Sequence, residues 1–287
     1  MQALGPAGSD AGPGRIFKVL LPTRFWSEMS WTDFDEADMG EVIAVLPVAA
    51  IEQHGPHLPV GVDAFIMEGY IARVVARLPG QLPVLFLPVQ SCGCSIEHSD
   101  FPGALSVSAA TLIRAWTEIA ECVFRTGCRK LVLLNSHGGN VAMLDIIAHD
   151  LRARLGMLAV MATWHRFGSP DGLFSDHEKT HGIHAGDIET SLMLSFRPDL
   201  VRLDDAADFT PASIAIESDF NWLRVGRPTG FGWMSQDLSE SGAMGDALAA
   251  TAGKGEACAD YGATAFVELL QDIEGFDLSR LKPGPRG

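Results

Sequence analysis

Residues 42–78 read VIAVLPVAAIEQHGPHLPVGVDAFIMEGYIARVVARL, and this stretch decides the fold. It opens with an apolar, β-branched run at 42–48, the composition of a strand buried on both faces. It closes with a helix expected over 63–78, where Ile66, Tyr70 and Val74 lie beside Met67, Ile71, Val75 and Leu78 in two adjacent rows at helical spacing. Apolar runs at 84–89, 130–134 and 157–163 read as three further buried strands. Amphipathic patterns over 108–126 and 141–155 read as helices between them. In the first, Leu112, Trp116, Ile119 and Val123 face inward while Glu121 and Arg125 form an i,i+4 pair outside. Strand alternating with helix implies an α/β fold, a mostly parallel central sheet with helices on both faces.

Further along, a helix is expected near 186–196 and a long one near 246–271. The stretch 197–244 has weak periodicity, many Asp, Ser and Gly residues, and Trp222 and Trp233; it reads as a lid or an oligomer contact. Pro/Gly-punctuated ends at 1–14 and 281–287 are expected to be flexible tails around one domain over 15–280.

Composition sets the outer limits. The 287 residues carry 36 Asp+Glu against 21 Lys+Arg, a net charge of −15, with no basic cluster, which argues against a nucleic-acid partner. With 47% hydrophobic and 20% charged residues the chain has the material for a core. No apolar run reaches the ~18 residues of a membrane span, and residues 1–14 lack an apolar signal core, so no membrane partner and a cytoplasmic location are expected. Five cysteines, odd in number and sparse, are not a disulfide framework and are expected to be reduced thiols.

In an open parallel sheet, ligands bind beyond the carboxyl ends of the strands. Here those ends are rich in metal-ligating types. Glu52, His54, His57 and Asp63 follow the first strand, Glu97 and His98 the second, and Asn135-Ser136-His137-Gly138-Gly139-Asn140 the third. Trp164 and His165 follow the fourth, and His184 and Glu189 come later. Each group alone has an ordinary alternative. Glu52 and His54 fit a solvated strand end, Asp63 a helix cap, and the His137 turn an anion nest at a helix N-terminus. Their coincidence at successive strand ends favours a shared site. Carboxylates and imidazoles without thiolates suit Zn, Mn, Fe or a mixed pair rather than a structural zinc.

His177-Glu178-Lys179-Thr180-His181 also matches H-E-x-x-H, in which two histidines one turn apart hold zinc beside a general-base Glu. Pro170, Asp171 and Gly172 just upstream and Gly182 just downstream leave no room for the long helix that motif needs. His177 and His181 are therefore expected on a solvated rim.

Three motifs, in order, carry a resemblance: Glu52-x-His54-Gly55-x-His57-Leu58-Pro59 with Asp63, then Asn135-Ser136-His137-Gly138-Gly139-Asn140, then His184-Ala185-Gly186-x-x-Glu189-Thr190-Ser191. Together they resemble the creatininase (creatinine amidohydrolase) family, with Glu97-His98, Phe101-Pro102-Gly103 and Gly245-Asp246 as weaker matches, over about 42–255. The resemblance implies a three-layer α/β/α sandwich and a two-metal hydrolase of amide C–N bonds, often a hexamer. Carried over by position, Glu52, His54, Asp63 and His137 become metal ligands, Asp63 bridging the two ions. Creatininase proper takes a further ligand from a Glu where this chain has Gly139, and Glu189 becomes the replacement. That departure leaves creatinine unsupported as the substrate.

The expected cofactors are two divalent ions per chain, Zn, Mn or Fe. His184 is the expected catalytic acid for the departing nitrogen, and His98, Trp164 and Ser136 are the expected substrate contacts. The substrate expected is a small cyclic amide or a formamide. The alternatives are a peptide-trimming hydrolase, as in the family's mycofactocin-precursor peptidase branch, and a non-catalytic metal-binding scaffold. The partners expected are a small amide and copies of the chain itself.

Overall fold

The computed structural model describes residues 21–285. The tail expected over 1–14 lies outside them, as do the last two residues of the one expected over 281–287. Four strands, β1 (Ile43–Val48), β2 (Val84–Phe86), β3 (Lys130–Asn135) and β4 (Leu158–Thr163), form a wholly parallel sheet in the order β2-β1-β3-β4. The helices described are α1 (Trp31–Glu36), α2 (Val62–Arg77), α3 (Ala109–Arg125), α4 (Val141–Leu155), α5 (Asp176–His181), α6 (Asp187–Phe196), α7 (Ser213–Asp219), α8 (Ser235–Leu238) and α9 (Ala252–Gly275). A two-stranded antiparallel ladder pairs β5 (Asp208–Phe209) with β6 (Gly245–Asp246).

The period of two along each strand splits the interior into two cores. Ile43, Val45, Val84, Phe86, Val132 and Leu134 point to one face, where they meet α2, α6 and α9 through residues such as Met67, Met193 and Phe266. Ala44, Leu46, Leu85, Leu131 and Leu133 point to the other, against Trp116 of α3 and Leu144 and Ile147 of α4. This is the α/β/α sandwich that the alternating sequence implies. Because the strands are parallel, their carboxyl ends share one edge, with Val48 level with Asn135 and Asn135 level with Thr163. The chain turns from β1 toward β2 on one side and toward β3 on the other, so the crevice between the ends of β1 and β3 is the switch point of the sheet.

Two elements differ from their sequence expectation, and one of the ordinary alternatives falls. β2 ends at Phe86 rather than at 89: Leu87 N–H still donates to the Val45 carbonyl at 2.8 Å, but Pro47 of β1 has no N–H to continue the ladder, and pairing resumes where Gln90 N–H donates to the Pro47 carbonyl at 2.9 Å. α9 begins at Ala252 rather than near 246. Asp246 is held in β6 opposite Asp208, and Thr251 caps the helix by accepting from Lys254 N–H. It runs past 271 to Gly275, because Ile273 continues the apolar stripe of Phe266 and Leu270. Asp63 does not cap α2. Gly61 holds the cap position, and Asp63 sits buried in the first turn, free for another role.

The stretch 197–244 is built from β5, α7, α8 and short 3-10 turns. It is tied to the sheet edge by Ser235 Oγ, 2.8 Å from His98 Nδ1, and by the Gly242 carbonyl, which accepts from Gln53 at 3.0 Å. Among the described residues no helix is long and apolar enough to cross a membrane.

Glycines let α9 pack closely on its neighbours. At Gly255 a Cβ would run into the Ser191 carbonyl of α6, and at Gly262 into the Tyr70 ring of α2. A backbone carbonyl cannot swing away as a side chain can, so Gly255→Ala should separate α9 from α6. The expected cost is about 1–3 kcal/mol, read as a lower Tm on thermal denaturation.

Candidate metal centre and active site

The strand-end residues converge. Glu52 and His54 leave β1, His137 leaves β3, Asp63 opens α2, and His184 and Glu189 flank the start of α6. All but Glu189 are nearly inaccessible, and Glu189 is 27% exposed. His137 Nδ1 lies 3.3 Å from Glu52 Oε1 and 3.4 Å from Asp63 Oδ2. His54 Nε2 lies 3.9 Å from Asp63 Oδ1 and 3.8 Å from Glu189 Oε2. The two oxygens of Asp63 thus face two different imidazoles, and each imidazole faces a second carboxylate.

Backbone carbonyls decide what these imidazoles present. A carbonyl only accepts, so a ring nitrogen bonded to one carries the proton and the other nitrogen carries the lone pair. His54 Nδ1 donates to the Glu52 carbonyl at 3.1 Å, leaving Nε2 bare. His137 Nε2 donates to the Cys94 carbonyl at 2.9 Å, leaving Nδ1 bare. His184 Nε2 donates to the Gln53 carbonyl, leaving Nδ1 facing Glu52 Oε1 at 3.7 Å. Lone pairs facing carboxylate oxygens repel unless a cation or a proton lies between. Consistent with this, Glu52 Oε2, Asp63 Oδ2 and His54 Nε2 are buried without a hydrogen-bond partner, a costly state for protein alone.

The donors group into sets within reach of one ion: Glu52, Asp63 and His137; His54, Asp63 and Glu189; and Glu52, His54 and His184. Asp63 is common to the first two. The donor set is oxygen and imidazole, suited to divalent transition ions.

The titration behaviour has the same origin. Burial raises Asp63 well above the usual carboxylate range, and the neighbouring Glu52 raises it further. Burial also opposes charge on Glu52, but His137, then His184 and His98, outweigh it and hold this carboxyl well below its usual range. Burial disfavours protonated His137, yet Glu52, Asp63 and Glu97 push it up to about 10. His54 is held well below its usual value by burial and by His184. Carboxylates outnumber cations here, and without a metal His137 supplies the missing positive charge.

Other residues orient this set. Asn135 takes both ends of the His137 peptide, its Nδ2 donating to the His137 carbonyl at 2.6 Å and its Oδ1 accepting from His137 N–H at 3.1 Å. Asn140 ties the β1 and β2 loops to that turn, donating to the Ala49 carbonyl at 3.0 Å and accepting from Cys94 N–H at 3.1 Å. Gln53 Nε2 donates to His98 Nδ1 at 2.8 Å, which puts the His98 proton on Nε2, 3.3 Å from Glu52 Oε1. Glu97 Oε1 approaches His137 Nε2 at 3.8 Å. It lies where a side chain at position 139 would start, for a Cβ on Gly139 would meet the Cys94 carbonyl, the His137 ring and the Glu97 carboxylate. Gln53 was not singled out by sequence; Glu97 was, as a metal-ligating type after the second strand, but with no role attached to it.

The substrate-contact expectations fare unevenly. His98 lies in the cluster. Ser136, half-buried, is at the mouth of the β1/β3 crevice, its N–H donating to the Val48 carbonyl at 3.1 Å. Trp164 does not reach the cluster. Its ring is buried in the core, stacked on Tyr70 at 4.1 Å between centroids and 10° between planes, and its N–H is spent on Met67 Sδ at 3.4 Å. Ordinary aromatic packing accounts for it. His57 donates or accepts at Thr190 Oγ1, 2.9 Å away, and stacks on Phe209 behind the site. His177 is exposed and His181 meets Ser213 and Glu217 at the surface of α5, as a rim requires.

The family model described as creatinine amidohydrolase matches residues 27–270. The chain belongs to the creatininase family. It is 32% identical over 202 residues to the creatinine amidohydrolase of Pseudomonas putida, covering 66% of this chain and 78% of that one. It is 30% identical over 253 residues to the mycofactocin precursor peptide peptidase of Mycobacterium ulcerans (strain Agy99), covering 85% and 87%. A solved manganese form of creatininase superposes with a TM-score of 0.71 at 25% identity, over 88% of this chain and 100% of that one. The protein is thus a creatininase-family amidohydrolase, a hydrolase of C–N bonds, with a buried His/Glu/Asp cluster able to bind metal.

The electrostatics make metal uptake pH-dependent. With its pKa near 10, His137 is protonated at pH 7 in the metal-free chain, and a cation at Nδ1 must displace that proton. Loading Mn2+ or Zn2+ should release at least one proton per chain, and affinity should rise with pH from 7 toward 10. Calorimetry in buffers of different ionisation enthalpy measures this; uptake without proton release would contradict the assignment of His137.

Proposed function

We propose that this creatininase-family protein hydrolyses the amide bond of a small cyclic amide or a formamide, using two divalent ions of Zn, Mn or Fe per chain. The observation that carries the reading is the pair of buried imidazoles, His54 and His137. Each is pinned through one nitrogen by a backbone carbonyl and aims its lone pair at an oxygen of the same carboxylate, Asp63. In this reading Glu52, Asp63 and His137 would hold one ion and His54, Asp63 and Glu189 the other, with Asp63 common to both sets. Such ions supply Lewis acidity that polarises an amide carbonyl and acidifies a water.

The chain's own groups do the rest. His184 keeps Nε2–H on the Gln53 carbonyl, so its bare Nδ1 takes the proton from the attacking water and passes it to the departing nitrogen. His98, with its proton set on Nε2 by Gln53 and facing Glu52 Oε1 at 3.3 Å, lies in the cluster as the expected substrate contact there. Ser136 lines the mouth of the crevice. Gly139 brings no carboxylate of its own where creatininase proper has a glutamate, and the Glu97 side chain lies beside it instead; this supports a substrate other than creatinine. The reading extends to a single hydrolase domain over 15–280 and, by family resemblance, to a homo-oligomer, hexameric in the cytoplasm.

A second reading, peptide trimming, is favoured by the extent of the match to the mycofactocin precursor peptide peptidase, which spans more of both chains than does the match to creatinine amidohydrolase.

Asp63→Ala and His137→Ala should lose bound metal and activity while the far-UV spectrum and the sheet persist. His184→Ala should keep its metal, lower kcat by about 10²–10⁴-fold and leave KM near its original value. The assay is a panel of lactams, formamides and short peptides with Mn2+ or Zn2+ added back. Turnover of lactams or formamides supports the first reading, and turnover of peptides alone moves the assignment to the second.

A further inference from the structure

Glu178 is the one member of the H-E-x-x-H stretch that points inward. Its side chain is 4% exposed, whereas His177 beside it lies in solvent. Its Oε1 accepts from Ile188 N–H at 3.3 Å, in the first turn of α6, and its Oε2 accepts from Asp246 N–H at 3.4 Å, in β6. Three glycines wall it in. A Cβ at Gly182, Gly186 or Gly245 would collide with the Glu178 carboxylate or lie against it, so these positions are kept bare around it. The segment it ties down carries His184 and Glu189. His184 exchanges backbone hydrogen bonds with Met244, next to β6, at 3.2 and 2.7 Å. Glu189 Oε2 accepts from Ala185 N–H at 2.6 Å, and Ala185 is the one non-glycine residue with a left-handed φ (58°) among those described.

We infer that Glu178 is a positioning residue: its buried carboxylate clamps the start of α6 to β6 and thereby sets His184 and Glu189 against the strand-end cluster. This rests on the reading of Glu189 as ligand to one of two ions. A carboxylate suits the task because both partners are N–H donors and both of its oxygens accept. An amide of the same shape cannot do it, since its NH2 would confront one of the two N–H groups. The clamp acts on the His54–Asp63–Glu189 ion and not on the Glu52–Asp63–His137 ion, whose ligands come from other loops.

The test uses the full-length protein, wild type, Glu178→Gln and, as an independent way of displacing the carboxylate, Gly186→Ala. Hydrogen–deuterium exchange of the metal-free proteins reads the clamp directly. The Ile188 and Asp246 amides should exchange at least tenfold faster in both variants, while amides of β1 and β3 stay protected. Calorimetric titration with Mn2+ alone should show two uptake steps in wild type. In the variants one step should weaken about tenfold and the other stay unchanged, a selectivity that general loosening of the fold would not produce. Unchanged exchange at Ile188 and Asp246, or equal weakening of both steps, overturns the positioning role. A wild type that takes up fewer than two ions instead overturns the two-ion reading, and the exchange measurement still decides the clamp. If Glu178→Gln does not fold, Gly186→Ala alone carries the same comparison.

Discussion

The structure depends on one constraint: the Asp63 carboxylate is buried at the switch point of a parallel sheet with Glu52 beside it and, among the described residues, no lysine or arginine paired with either. Unpaired charge costs several kcal/mol to bury, so such a site persists only if positive charge is supplied to it. The arrangement of the neighbours says where. His54 and His137 approach Asp63 from opposite oxygens, and each has its remaining nitrogen committed to a main-chain carbonyl. Rings fixed in this way turn one set nitrogen toward Asp63, a lone pair when the ring is neutral; at His137 a proton holds that place until a cation displaces it. The pattern of a ring held from behind by a carbonyl or carboxylate is how metal-binding histidines are oriented.

The fold makes that arrangement inexpensive. Parallel strands deliver Glu52 and His137 to the same edge without any long excursion, and the register of β1 with β3 places Val48 opposite Asn135 immediately before the two loops diverge. Asn135 and Asn140 then replace the missing ladder with side-chain hydrogen bonds that knit three loops together. The candidate site groups sit on loops that are short or heavily bonded, which holds them in place. The later segment, 197–244, reaches back over this edge through Ser235 and Gly242, so the site draws on residues nearly two hundred positions apart in the chain.

Much of this was legible in the amino-acid order because it is local. The β1 run, the helix rows of α2 and α3 and the strand-end placement of Glu52, His54 and His137 follow from periodicity and from the geometry of parallel sheets. The start of α9 was not, because Asp246 is drawn into β6 by pairing with Asp208, thirty-eight positions earlier, and local pattern does not carry that competition. Gln53 escaped notice, and Glu178 was read only as part of an H-E-x-x-H match, for the same reason: their roles are made by distant partners, His98 and Gly242 for one, Ile188 and Asp246 for the other. Trp164 shows the reverse error. An indole near a strand end serves a pocket or a core equally well, and here the ring of Tyr70 and the thioether of Met67 claim it for the core.

The central claim is that Asp63 is shared between two cations. Crystals grown or soaked with Mn2+ and Zn2+, with anomalous scattering recorded at each metal edge, test it most directly. The account predicts two peaks per chain flanking Asp63, one bounded by Glu52 and His137 and the other by His54 and Glu189. A single peak away from Asp63, or no peak at saturating metal, would contradict it.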